Sequence, residues 1–277
     1  MTEHIGLRGK AWFHALTGND QPASGDPLSV LAAEAQIGDE IGLFLCVIPD
    51  PSSRFPCVRD GQVGLEEAFA LAYHLRRLLA EDREQPTAKK RPVIAIVDVK
   101  SQAYGRREET AGIFFAAAAS SDAYASARMA GHPVISLVAG QAFSGGFLTH
   151  GYQANRILSF DDSGIVIHAM HKEAAARITR RSVAELEELG HAIAPMSYDV
   201  HDYAKLGLLH KLLHVEDPQH PTAAEVESVR NELIEAIRDA RSGAVDLSNR
   251  LQSEAAKQTR KAGIAVRAAL EAQWQNV

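Results

Sequence analysis

The chain has 277 residues, 46% of them hydrophobic and 23% charged, enough to bury one large core or two modest ones. Lys and Arg number 29 against 35 Asp and Glu, and a net charge of −6 gives no general electrostatic reason to expect a nucleic acid or an anionic membrane as partner. Cys46 and Cys57 are the only cysteines and form no CxxC, so neither a disulfide framework nor a cysteine-rich zinc site is indicated.

The N-terminus, "MTEHIGLRGKAWFHALTG", lacks a basic segment followed by an apolar core. No run approaches the roughly 18 apolar residues of a membrane span, and a cytoplasmic location is the expectation. Residues 1–38 include the turn-rich "TGNDQPASGDP" and read as an N-terminal arm lying on the body, with little core of its own. Residues 41–51 form a strand closed by Asp-Pro. A loop, "SSRFPCVRDGQVG", then leads into a helix over 65–80, in which Leu65, Phe69, Ala72, Leu75 and Leu79 recur at helical spacing. The plan repeats with a buried strand over 91–99, the polar loop "KSQAYGRREE" and an alanine-rich helix over 110–129. Next comes "VISLVAGQAFSGGFLTHG". Its continuous apolar run over 134–138 predicts a strand covered on both faces in a mostly parallel sheet, with a turn at Ala139-Gly140 and a helix after Ser144. Strand, loop and helix at this spacing imply right-handed crossovers.

Residues 157–160 and 164–168 predict two short strands around Asp-Asp-Ser-Gly, as a hairpin-like or stepped pair. Ser182 with Glu185 three residues on is a capping box, opening a helix that ends at Gly190. A short helix, a break at Gly207 and the strand-like "LLHKLLHV" follow. From Pro221 the composition shifts to two helices. The second carries Leu251, Ala255, Ala262, Val266, Leu270 and Trp274 on one stripe, suited to this chain's own sheet or to a partner. The expected organisation is an arm (1–38), one α/β core (39–220) and a C-terminal helical extension (221–277).

Two loops each follow a buried strand and open a helix, and in open α/β folds ligands bind at the carboxyl ends of adjacent strands. If the two strands are neighbours, Tyr104-Gly105 and Ser144-Gly145-Gly146 line one crevice. Their backbone amides then suit the oxyanion of a thioester or a carboxylate. The alternative is a tight strand-to-helix connection whose glycines only permit close packing. His168 and His171, and His210 and His214, have spacings that could share a face, but no acidic motif accompanies them. His150 lies one turn beyond Ser-Gly-Gly, within reach of the crevice as a proton donor. The surroundings of Ser144 are AFSGG and not the GxSxG of α/β hydrolases. Neither GxGxxG nor a P-loop occurs.

"KKRPVIAIVDVKSQAYGRREE", followed by "HPVISLVAGQAFSGGFLTHG", resembles the carboxyltransferase half of biotin-dependent carboxylases, with their "DTPGAYPG" and "GEGGSGGA" loops. The segments "PDPSSRF", "GLEEAFALA" and "FDDSGIVIHAMHKEAAARIT" resemble most closely the gamma subunits of biotin-independent malonate decarboxylase, over residues from about 7 to 240. The resemblance implies an α/β fold of the ClpP/crotonase superfamily, with repeated ββα units. It implies a beta-subunit partner and a malonyl thioester decarboxylated to an acetyl thioester. That thioester would ride on an acyl-carrier subunit's prosthetic group, of the phosphoribosyl-dephospho-CoA type, with no cofactor bound by this chain. Gly145 and Gly146 are then the first choice for an oxyanion hole, with Gly105 as a second donor group and Tyr104, Ser144 and His150 as candidate proton donors. Two departures, Val99-Lys100-Ser101-Gln102 before Ala103-Tyr104-Gly105 and Gln141-Ala142-Phe143 before Ser-Gly-Gly, put a biotin site in doubt. A biotin-dependent carboxyltransferase subunit and a non-catalytic scaffold remain the alternatives.

Overall fold

The apolar runs read from the sequence become neighbouring strands. A computed structural model describes residues 7–275. Strands β1 (Val30–Ile37), β2 (Glu40–Val47), β3 (Val93–Val99), β4 (Val134–Phe143), β5 (Arg156–Phe160) and β7 (Lys211–Leu213) lie side by side in that order, with β6 (Val166–His168) beside β4. Among the described residues only β1 with β2 is antiparallel; the other pairings are parallel. Every residue of β3 is buried, as expected of a strand with both faces covered. Helices α2 (Leu65–Glu81) and α4 (Ile113–Met129) are the crossovers, and they pack against each other.

Residues 1–6 of the expected arm lie outside the described residues. The rest of that segment contributes far more core than its turn-rich composition suggests. Helix α1 (Leu7–Thr17) buries Trp12, Phe13 and Leu16, and β1 pairs with β2 along its whole length. The buried carboxylate of Asp98 accepts a hydrogen bond from the Gly9 N–H at 3.2 Å, in the first turn of α1.

Two boundaries differ from the sequence expectation. The helix over 110–129 is split by Gly112, whose φ of 88° ends α3 (Arg106–Ala111) and begins α4. Strand β4 does not turn at Ala139-Gly140 but runs on to Phe143. The β3–β4 register shifts between Val97 and Val99, and the Asp98 carboxylate there accepts the Gln141 N–H at 3.0 Å. A Cβ on Gly140 would lie 2.1 Å from the same carboxylate, so only glycine lets the strand continue. The extension has a consequence for the short strands. Both β5 and β6 pair with β4, one after the other along its length, and so form a stepped pair and not a hairpin.

Helices α5 (Ser144–Thr149), α6 (Lys172–Thr179), α7 (Val183–Ala192) and α8 (Val200–Lys205) follow. Ser182 and Glu185 make the expected capping box, though α7 continues past Gly190. In the C-terminal extension, α9 (Ala223–Ser242) buries Val229, Leu233 and Ile237 at home. The expected second helix breaks into α10 (Glu254–Thr259) and α11 (Lys261–Trp274), and its stripe stays outside, with Val266, Leu270 and Trp274 exposed. Among the described residues, no helix is long and apolar enough to cross a membrane.

Candidate active site

Because β3 and β4 are parallel neighbours, their C-terminal loops meet. Gly145 N–H donates to the side-chain oxygen of Gln102 at 2.9 Å. The Gln102 backbone is itself fixed: residues Val63 and Gln102 form a β-bridge, the Ala103 N–H donates to the Val63 carbonyl at 2.7 Å, and the Ser101 hydroxyl donates to the Gln102 carbonyl at 2.7 Å. Only the Gln102 side chain is left to move. The two glycines do different work. A Cβ on Gly146 would lie 2.4 Å from the Ser101 carbonyl carbon, a backbone clash, whereas one on Gly145 would meet only the Gln102 side chain. Gly146 thus packs against the Ser101 backbone, and the Gly145 amide donates to Gln102. Ser144, which turns the chain from β4 into α5, has a φ of 54°, an uncommon left-handed conformation for a residue with a side chain.

Ser144 and Gly145 line a cavity of about 340 Å³ whose walls include Phe147, Tyr203, His168 and Arg260. It is mostly apolar, within the size range of small-molecule sites. His168 reaches it because β6 pairs with the β4 extension, setting His168 opposite Phe143. Its ring stacks on Tyr198 at 3.8 Å, and burial holds its pKa below the usual imidazole value. Burial also pushes Tyr203 up to about 12. A larger cavity, about 570 Å³, lies elsewhere, lined by Asp161, Asp162, Asp199, Asp202 and Glu187. Five carboxylates make it a poor place for an anionic substrate.

The other expected residues are placed less favourably. Tyr104 is exposed, with its carbonyl 3.7 Å from the Cys57 sulfur. Gly105 caps α3, but the buried Glu108 turns its carboxylate toward it, so that an oxygen of Glu108 would sit 2.8 Å from a Cβ at that position. A carboxylate beside Gly105 is unfavourable to an anionic oxygen at that end of the loop. His150 is corrected. It lies at the end of α5, fully buried, with Nδ1 2.9 Å from the Tyr124 hydroxyl and Nε2 2.9 Å from the Ile96 carbonyl. Burial pulls its pKa down to about 4, and with both nitrogens engaged inside the core it is no proton donor for the cavity. Among the described residues no cluster of metal ligands occurs. His171 stacks on Phe143 at 3.8 Å.

Sequence reasoning missed Gln102, His168 and Arg260 as parts of this site. Gln102 carried a signal, as a departure from the carboxyltransferase loop. The other two reach the cavity only through strand pairing and a helix break.

Comparison with known proteins shows the family of the chain. Residues 58–274 match the family model described as malonate decarboxylase gamma subunit. Among solved structures, the chain is similar to one in a Pseudomonas malonate decarboxylase hetero-tetramer in complex with coenzyme A, at 50% identity and a TM-score of 0.91, covering 96% of this chain and 99% of that one. It is similar to one in the Pseudomonas MdcD-MdcE hetero-dimer, at 49% identity and a TM-score of 0.87 over the same shares. A curated relative, the malonyl-S-ACP:biotin-protein carboxyltransferase MADD of Malonomonas rubra, is 32% identical over 209 residues, which is 75% of this chain and 68% of that protein. The transcarboxylase 12S core, at 17% identity and a TM-score of 0.63 over 87% of this chain and 44% of that one, shares the fold, which is α/β and crotonase-like.

Proposed function

The chain belongs to the malonate decarboxylase gamma-subunit family, and from that premise we propose that it builds, with a beta subunit, a shared site in which a malonyl thioester loses carbon dioxide. The thioester is carried on the prosthetic arm of an acyl-carrier subunit, of the phosphoribosyl-dephospho-CoA type, and not on a cofactor of this chain. The bond between the carboxylate carbon and the α carbon breaks, and its electron pair moves into the thioester as an enolate. Carbon dioxide leaves, and the α carbon takes one proton to give the acetyl thioester.

Charge thus moves from the carboxylate onto the thioester oxygen. A donor aimed at that oxygen stabilises the transition state more than the ground state. The observation that carries the reading is the Gly145 N–H, which lines the cavity and already holds a carbonyl-type oxygen, that of Gln102, at 2.9 Å. Substrate oxygen displaces the Gln102 side chain, whose backbone stays in place. The proton comes from one of the hydroxyls on the paired loops, Ser144 or Tyr104.

The test is Gly146→Ala in the assembled complex. The added Cβ has no room against the Ser101 backbone, so the turn shifts and carries the Gly145 amide out of line with the substrate oxygen. Turnover is expected to fall by about 10² or more, the scale of losing an oxyanion donor, with the heterodimer retained. Near-normal turnover would overturn the amide assignment. A second reading, transfer of the carboxyl group to a biotin protein, draws on the Malonomonas rubra relative. The exchange of Glu-Gly-Gly for Gln141-Ala142-Phe143 before the Ser-Gly-Gly turn weighs against it.

A further inference from the structure

The cavity beside Ser144 and Gly145 contains one permanent charge. Arg260 stands at the junction of α10 and α11, where the helix expected from the sequence breaks. Its Nε donates to the Leu206 carbonyl at 2.6 Å, which fixes the plane of the guanidinium. Among the described residues, no hydrogen bond or ion pair engages its two terminal nitrogens. No Asp or Glu lines the cavity, and His168, the other titratable nitrogen there, is held toward its neutral form by burial. A second cavity of about 350 Å³ abuts the first at Arg260, Leu206 and Pro195; it adds Arg267 and again no carboxylate. The surrounding field is positive as well. Arg250, buried beside Tyr152, has its pKa lowered to about 10, first by burial and then in part by the charges of Arg128 and Arg260.

A half-buried guanidinium without an anionic partner, facing an apolar space, is costly unless something arrives to pair with it. Its planar fork matches a carboxylate in two-point contact. We propose that Arg260 anchors the free carboxylate of the malonyl group in this cavity, with the thioester oxygen directed to the Gly145 amide. The inference rests on the decarboxylase reading and adds to it the group by which the site tells a malonyl from an acetyl thioester. Product release follows from the same contact. The carboxylate loses its charge on leaving as carbon dioxide, and the acetyl thioester keeps nothing for Arg260 to hold. The carboxylate is still held as its bond begins to break, so the anchor binds substrate and transition state about alike and its removal should appear in KM and much less in kcat.

The experiment uses the heterodimer with the beta subunit, as wild type, Arg260→Gln and Arg260→Lys. Free malonate is the probe, its binding followed by calorimetry, and KM and kcat are measured on the malonyl thioester. Arg260→Gln should weaken malonate binding and raise KM by about tenfold or more, the scale of one charge-assisted contact, with kcat within about threefold. Arg260→Lys, which keeps the charge and loses the fork, should fall between. Inhibition by the acetyl thioester should be unchanged in both variants, a readout that general damage from the lost Leu206 bond would also move. Malonate binding and KM unchanged in Arg260→Gln, alongside a fully active wild type, would overturn the anchor and leave the decarboxylase reading intact. No carbon dioxide release from the wild-type complex would instead overturn the reading and the anchor with it.

Discussion

The two loops that meet at the carboxyl ends of β3 and β4 look alike in sequence and are built differently. The Ser144–Gly146 turn is closed: its serine is held at a left-handed φ, Gly146 lies against the Ser101 backbone, and the Gly145 amide has an oxygen in place. The loop through Tyr104 and Gly105 is open, with the Tyr104 ring exposed and a carboxylate beside Gly105. A preorganised donor belongs on a rigid element, because reorganisation at the moment of reaction would cancel its benefit. Glycine-rich strand ends are therefore not interchangeable. What distinguishes them is what lies beside them: a cavity at Gly145 and the Glu108 carboxylate at Gly105.

The largest effect that separates the two loops lies in the proton. Ser144→Ala and Tyr104→Phe, assayed in the complex, should differ sharply. The hydroxyl that delivers the proton should lower kcat by about 10²–10⁴ when removed, and the other should leave it within about threefold. A Tyr104 effect would mean that the open loop closes on the partner, and a Ser144 effect that the closed turn carries the chemistry alone. Equal, small effects from both would remove both from proton transfer.

A smaller effect is expected at Gln102. Its side-chain oxygen competes with substrate for the Gly145 N–H, so Gln102→Ala should lower KM by about two- to tenfold, the scale of one net hydrogen bond, with kcat unchanged. A fall in kcat would show that Gln102 touches the reacting group and is more than an occupant of the amide.

The smallest effect on turnover is at His150. Substitution by Gln should leave kcat within about twofold while changing the pH dependence of stability. The folded protein holds this imidazole neutral, with a pKa of about 4, whereas the unfolded chain takes up the proton near 6.5. Its stabilisation is complete above about pH 6.5 and is lost as pH falls toward 4, by roughly 3 kcal/mol in all. Denaturant titrations of the wild type and of His150→Gln between pH 4 and 7 measure that slope. An unchanged slope would show that His150 is not the buried neutral group described here.

Much of this molecule is legible in its sequence, for identifiable reasons. Strands β2, β3 and the first half of β4 are continuous apolar runs, and α2 and α7 declare themselves by periodicity and by capping. Local patterns do not show what one buried side chain does to a neighbouring strand. The Asp98 carboxylate carries β4 past Gly140 to Phe143, and that extension brings β6 and His168 to the cavity. The same holds for α9 and α11. Both have apolar stripes, but only α9 has the sheet beneath it, and periodicity records a stripe without its partner. The Ser-Gly-Gly turn was legible as a strand-to-helix turn and His150 was misplaced, because chain proximity does not say whether a ring faces a cavity or the core.

The most direct measurement mixes this chain with a malonate decarboxylase beta subunit and follows carbon dioxide release from a malonyl thioester, with each subunit also assayed alone and with avidin added. The account predicts release from the mixture only, unaffected by avidin. Full release from the beta subunit alone would contradict the shared site, and inhibition by avidin would contradict decarboxylation without biotin.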